Sequence, residues 1–167
     1  MRKKLIFGWL SLLASLLWTS FIFSNSLDNG VKSGEKSSAV YDLVCRISDI
    51  FGLPVPITEA TLRTFAHFVE FAVLAFLLGL TLFLLFELSL CAPLSAQYAI
   101  LLLAFPLSVA IAVLDELIQR FSPGRASQFS DVLIDSFGAL MGLFALLIFL
   151  TLLRLLYKKR LKTGRIR

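Results

Sequence analysis

Arg63, His67 and Glu70 stand at i, i+4 and i+7, so a helix through them stacks all three on one face within two turns. An imidazole between a guanidinium and a carboxylate could work as a general base or acid, or help hold a hard or borderline cation. The plainer alternative is an interfacial face, with Arg63 among lipid headgroups and His67 bonded to Glu70. Asp115-Glu116-Leu117-Ile118-Gln119-Arg120 places two adjacent carboxylates at the end of another apolar stretch, with Gln119 one turn beyond Asp115. Glu116 and Arg120 could form a surface pair worth about 0.3–0.5 kcal/mol, which leaves Asp115, on another side of the helix, without a partner. Pro123 and Gly124 suit the central positions of a type II turn that projects Arg125. A guanidinium presented this way can grip phosphate or carboxylate through two parallel hydrogen bonds, unless the turn is an ordinary re-entry loop anchored among headgroups. Beyond Ser130, a good N-cap, Asp131, Asp135, Gly138 and Gly142 share one helical face. The Gly138/Gly142 pair allows close helix approach, so this face is expected inside a bundle, with Asp135 carried inward.

The elements that must position these groups are membrane-spanning. Of 167 residues, 58% are hydrophobic, more apolar material than a soluble domain of this length can bury. The mean hydropathy of +0.88 agrees. A span needs about 20 apolar residues, and four such stretches lie near 5–23, 64–86, 97–117 and 132–153. The fold class is therefore all-α, a single-domain polytopic bundle. The first stretch follows Arg2, Lys3 and Lys4 like a signal peptide, yet Ser24-Asn25-Ser26 is a poor cleavage sequence, and an uncleaved anchor is expected.

Charge sets the expected orientation. The two ends hold ten of the sixteen basic residues, with Arg154, Lys158, Lys159, Arg160, Lys162, Arg165 and Arg167 forming a basic tail over 154–167. Four spans put both ends on one side, the cytoplasm by the positive-inside rule. Ten of the eleven acidic residues then map to the outer half, Glu87 being the exception. The tail follows an apolar helix directly and carries no interleaved aromatics beyond Tyr157, which favours anionic membrane lipids over nucleic acid as its partner.

In the long outer loop, Val40, Leu43, Val44, Ile47, Ile50 and Phe51 form a helical stripe. An amphipathic helix is expected near 38–51, capped by Ser37 or Ser38 and ended by Gly52, lying on the membrane or covering the bundle. Leu53-Pro54-Val55-Pro56 breaks it, and Thr58 can cap the next span. Cys45 falls outside and Cys91 inside, which forbids a disulfide between them.

Three spans thus deliver His67, Glu70, Asp115, Glu116, Gln119, Arg125, Asp131 and Asp135 to one membrane depth. The series His67-Phe68-Val69-Glu70-Phe71, Asp115-Glu116-Leu117-Ile118-Gln119 and Pro123-Gly124-Arg125, then Asp131, Asp135 and Gly138, resembles the VanZ-like family over roughly residues 24–144. The resemblance implies a cell-envelope membrane protein associated with low-level teicoplanin resistance, with no established reaction. Phe71 departs from the tyrosine expected in many members, so no phenolic hydroxyl serves at that position.

Three functions stay open: binding of an anionic or lipid-linked cell-wall precursor headgroup, an intramembrane acid–base or metal-assisted enzyme, and ion-coupled transport. The sequence carries no nucleophile elbow, zinc signature, Walker loop or paired phosphate-binding motif, so it assigns no cofactor and no metal.

Overall fold

The computed structural model of the chain describes residues 2–52, 54, 57–86, 88, 94–125 and 128–162. Among them the structure is helical without strands. The helices are α1 Arg2–Leu27, α2 Gly30–Ile50, α3 Glu59–Leu85, α4 Leu94–Phe121 and α5 Phe129–Lys162. Four of these are long and apolar enough to cross a membrane, over Lys4–Leu27, Glu59–Leu85, Ser95–Phe121 and Phe129–Leu161. Each runs past the apolar window expected from the sequence, because the flanking polar residues continue the helix. That extension brings Gln119 and Asp131 onto helix ends beside His67, Glu70, Asp115, Glu116 and Asp135, which the expected windows already contain. Side chains such as Leu13, Leu17, Leu102, Phe137 and Phe144 face outward, an apolar exterior fit for lipid. The chain is a multi-pass membrane protein.

α3 is the central helix, packed against α1, α4 and α5. Its tightest approach is to α5, where a Cβ on Gly138 would run into the Phe68 carbonyl and one on Gly142 into that of Ala72. The face of α5 that carries these two glycines lies against the backbone of α3. Apolar clusters follow one another along the bundle: Ile22, Phe71, Leu74 and Ala112, then Ala75, Ala104, Ala139 and Leu143, then Phe83, Ile100, Leu146 and Leu150. Phe71 is fully buried in the first, beside the polar end, where an apolar ring fits and a hydroxyl would need a partner.

α2 differs from its expected span of 38–51. It starts eight residues earlier, at Gly30, because Asn29 caps it by accepting the Lys32 backbone N–H at 2.9 Å. Ser37 is mid-helix, its hydroxyl donating to the Ser33 carbonyl at 3.0 Å. Gly52, at φ +64, ends the helix as expected, and Thr58 caps α3. Of the apolar stripe, Val40, Leu43, Ile47 and Ile50 are exposed, while Ser33, two turns before Val40 on the same side of the helix, is buried. The helix therefore meets the bundle near its start, through Ser33, with Val40 at one edge of the cavity beneath it, and Leu43, Ile47 and Ile50 face outward. At the start of α5, Ser130 is already helical and Gln128 accepts the Asp131 N–H at 2.9 Å, so Ser130 is not the cap the sequence suggests.

Residues 154–162 of the expected basic tail continue α5. Glu87, Cys91, Arg165 and Arg167 lie outside the described residues, as do three of the four residues of the 53–56 break.

Candidate functional site

One end of the bundle gathers the last turn of α1, the first turns of α3 and α5, the last turns of α4 and the turn at 122–125. Asp115 is fully buried there. Its Oδ1 accepts from the Ser26 hydroxyl, and its Oδ2 accepts from Gln119 Nε2 at 2.8 Å. Gln119 Nε2 also reaches the Ser26 hydroxyl at 3.3 Å, and Ser122 donates to the Ser26 carbonyl at 2.8 Å. Asp115 is thus the partnerless carboxylate of the sequence reading provided with partners from α1 and α4 together. Glu116, also buried, turns to the backbone N–H of Gln128 and does not pair with Arg120. A buried carboxylate accepting an otherwise unmade N–H at the helix entry gains more than an exposed ion pair.

His67 faces Asp135, with Nδ1 3.8 Å from Oδ1. That is beyond hydrogen-bond length. Both atoms are enclosed and have no hydrogen-bond partner, although Asp135 is only 1% exposed. One ligand atom each from His67, Asp115 and Asp135 lies within 4.8 Å of the others. The His67–Glu70 bond of the plainer alternative does not form: Glu70 accepts from Asn25 Nδ2 at 3.3 Å, and its backbone carbonyl accepts from Trp18 Nε1 at 2.9 Å.

The turn forms as expected. Gly124 has φ +77, which a type II turn requires, and the Arg125 N–H closes it onto the Ser122 carbonyl at 3.2 Å. The Gly30 N–H donates to the Pro123 carbonyl at 2.9 Å, and a Cβ on Gly30 would strike the Gly124 carbonyl, so α2 begins in direct backbone contact with the turn. Arg125 donates through Nη2 to the Ser33 hydroxyl of α2. Its Nε and Nη1 are enclosed without an acceptor. Burial first, then repulsion from Arg63, lowers the Arg125 pKa from its ordinary value.

Two cavities meet at Arg63, His67 and Arg125. One, of about 470 Å³, has Lys36, Arg63 and Arg125 among its polar groups and Phe21, Val40 and Leu62 among its apolar ones. The other, of about 650 Å³, adds Gln128 and Asp131. Asp28 at the rim of the first is bridged by Lys32 and Lys36, and the hydrogen bond from Lys36 holds its carboxyl below the usual range.

All eight expected polar residues fall at this end. His67, Asp115 and Asp135 converge, Arg125 and Asp131 line cavities, Gln119 orients Asp115, and Glu70 and Glu116 bond elsewhere in the cluster. The sequence reading missed Asn25, Ser26, Ser33 and Lys36. A signal for Ser26 exists: Ser11, Ser15, Ile22 and Ser26 recur at helical spacing and all are buried, a stripe that carries α1 past its apolar window.

No curated protein and no solved structure matches the chain. Residues 11–152 match the family model described as VanZ/LLP1. That match includes every helix contributing to the cluster, and the chain belongs to the VanZ/LLP1 family.

Proposed function

We propose that this VanZ-like protein resides in the plasma membrane with both termini cytoplasmic, and that its cluster at the outer face binds the anionic headgroup of a lipid, such as a lipid-linked cell-wall precursor. The carrying observation is Arg125, held by Ser33 with Nε and Nη1 enclosed and without acceptors. A guanidinium grips an anion bidentately through Nη2 together with Nε or Nη1, and Ser33 takes only one of the two Nη2 hydrogens, so either edge keeps a pair of donors for an anion with two acceptor oxygens. Arg63 adds positive charge in the same cavity, where Lys36 is paired with Asp28, and Phe21, Val40 and Leu62 offer apolar surface for the first part of an acyl or prenyl chain. Sequestering such a headgroup would change the targets that a glycopeptide meets, and a contribution to teicoplanin resistance is the expected phenotype.

Native mass spectrometry of the purified protein tests this. A co-purifying phosphorylated lipid that is lost in Arg125→Lys supports it, because lysine keeps the charge and loses the fork. Losing one charge-assisted hydrogen bond, worth about 1.5–3 kcal/mol, corresponds to roughly 10- to 100-fold weaker binding. Absence of any phosphorylated lipid, or its undiminished retention by Arg125→Lys, overturns the reading. An enzyme acting on such a substrate is the second reading, favoured by the unpartnered His67 and Asp135 beside the cavities.

A further inference from the structure

We propose that His67, Asp115 and Asp135 bind one divalent cation of hard or borderline character, Mn2+ or Zn2+. The three residues come from α3, α4 and α5, and one ligand atom of each lies within 4.8 Å of the others. Metal bonds of about 2.0–2.2 Å separate neighbouring ligand atoms by roughly 3.0–3.4 Å, so the widest pair must draw together by up to about 1.4–1.8 Å, within reach of side-chain rotation, to close on an ion. His67 Nδ1 and Asp135 Oδ1 are already 3.8 Å apart.

A second observation, independent of the clustering, is the unmade polar capacity. Asp135 is 1% exposed and its Oδ1 has no hydrogen-bond partner, and neither does the enclosed Nδ1 of His67. An unsatisfied buried carboxylate oxygen is costly, and the two atoms are too far apart to satisfy each other. A shared cation takes a lone pair from both. Asp115 is prepared differently: Ser26 and Gln119 each donate to one of its oxygens, which fixes the carboxylate while leaving further lone pairs. Hydrogen-bonding partners that orient a ligating carboxylate are a usual accompaniment of metal sites. One imidazole with two carboxylates selects a hard or borderline ion over a soft one.

Three protein ligands leave a coordination position open. His67 lines both cavities, so that position would border the space assigned above to the headgroup. The metal site itself rests on the ligand geometry and does not require that assignment.

The test is elemental analysis of the full chain purified in detergent without chelator, followed by Co2+ titration of metal-stripped protein monitored by visible d–d absorption and by thermal melting. One equivalent of Zn2+ or Mn2+, or a saturable Co2+ spectrum with a raised melting temperature, is expected. His67→Gln and Asp135→Asn should abolish it. Ser26→Ala keeps all three ligands and should weaken binding about 10- to 100-fold, which covers the case in which a ligand variant does not fold. Arg125→Lys should keep the metal while losing the lipid, so the two proposals fail separately. No binding of Zn2+, Mn2+ or Co2+ by the folded wild type, or equal binding by the folded His67→Gln, Asp135→Asn and Ser26→Ala variants, overturns the site.

Discussion

Gly142→Ala adds one methyl group where none fits. Its Cβ would overlap the Ala72 carbonyl, and backbone cannot swing aside as a side-chain end can, so α3 and α5 must separate locally. Overpacking of this kind costs about 1–3 kcal/mol. For a chain of this size each kcal/mol moves the melting temperature by about 2–4 °C, so the variant should melt roughly 2–12 °C lower. Gly138→Ala meets the Phe68 carbonyl and should behave alike, and the double variant should fall short of the sum because both act on one interface. Gly34→Ala is the control. It is the same chemical change within α2 with nothing inside 4 Å, and it should stabilise by about 0.5–1 kcal/mol through reduced chain entropy. The assay is thermal melting in detergent of the four variants beside wild type. A Gly142→Ala protein that melts with or above wild type would refute the claim that this contact holds α3 to α5.

Ser26→Ala removes the hydroxyl that Asp115 and Gln119 share, and in chelator-treated protein should cost about 1–3 kcal/mol; unchanged melting would mean the α1–α4 link is unimportant. Alkaline phosphatase fused near Ser33 should be active and fused after Arg167 inactive, and the reverse pattern would put the site on the cytoplasmic side. Cys45, part-exposed on α2, should react with an impermeant thiol reagent in intact cells while Cys91 stays protected; labelling of Cys91 alone would contradict the orientation. Because Lys36 lowers the Asp28 pKa from 3.8, the stabilisation from this pair is present above about pH 4 and fades as pH falls through the lowered value. A fluorophore on Cys45 should lose anisotropy over that acid range, and in Asp28→Asn should start low and show no titration; identical profiles would dissociate the pair from α2 docking.

The four spans were readable because apolar length and basic flanks are local properties, written directly in the chain. The gathering of His67, Asp115 and Asp135 was readable only as shared depth. Whether three side chains meet depends on the rotation of α3, α4 and α5 about their axes, and the glycine contacts that set the α3–α5 rotation name one partner while leaving the other unspecified. Ser26 was hidden for a different reason. The apolar run was taken to end at Phe23, and a serine beyond it reads as loop until α4 supplies a carboxylate to bond. The start of α2 escaped because Ser and Gly are weak helix formers, and it is fixed by the Asn29 cap and by the backbone contact of Gly30 with the turn.

The bond from Ser26 to Asp115 joins residues 89 apart, and so sets an order on biogenesis. α1 leaves the ribosome before α4, so its Ser26 hydroxyl has no acidic partner until α4 has been synthesised. α5 must then arrive before Asp135 can face His67. Every earlier stage of insertion holds a bundle end with unmatched polar groups, which ties completion of the site to the arrival of α5. A chain stalled or clipped before α5 would be a membrane protein by every test of hydropathy, and would have no site at all.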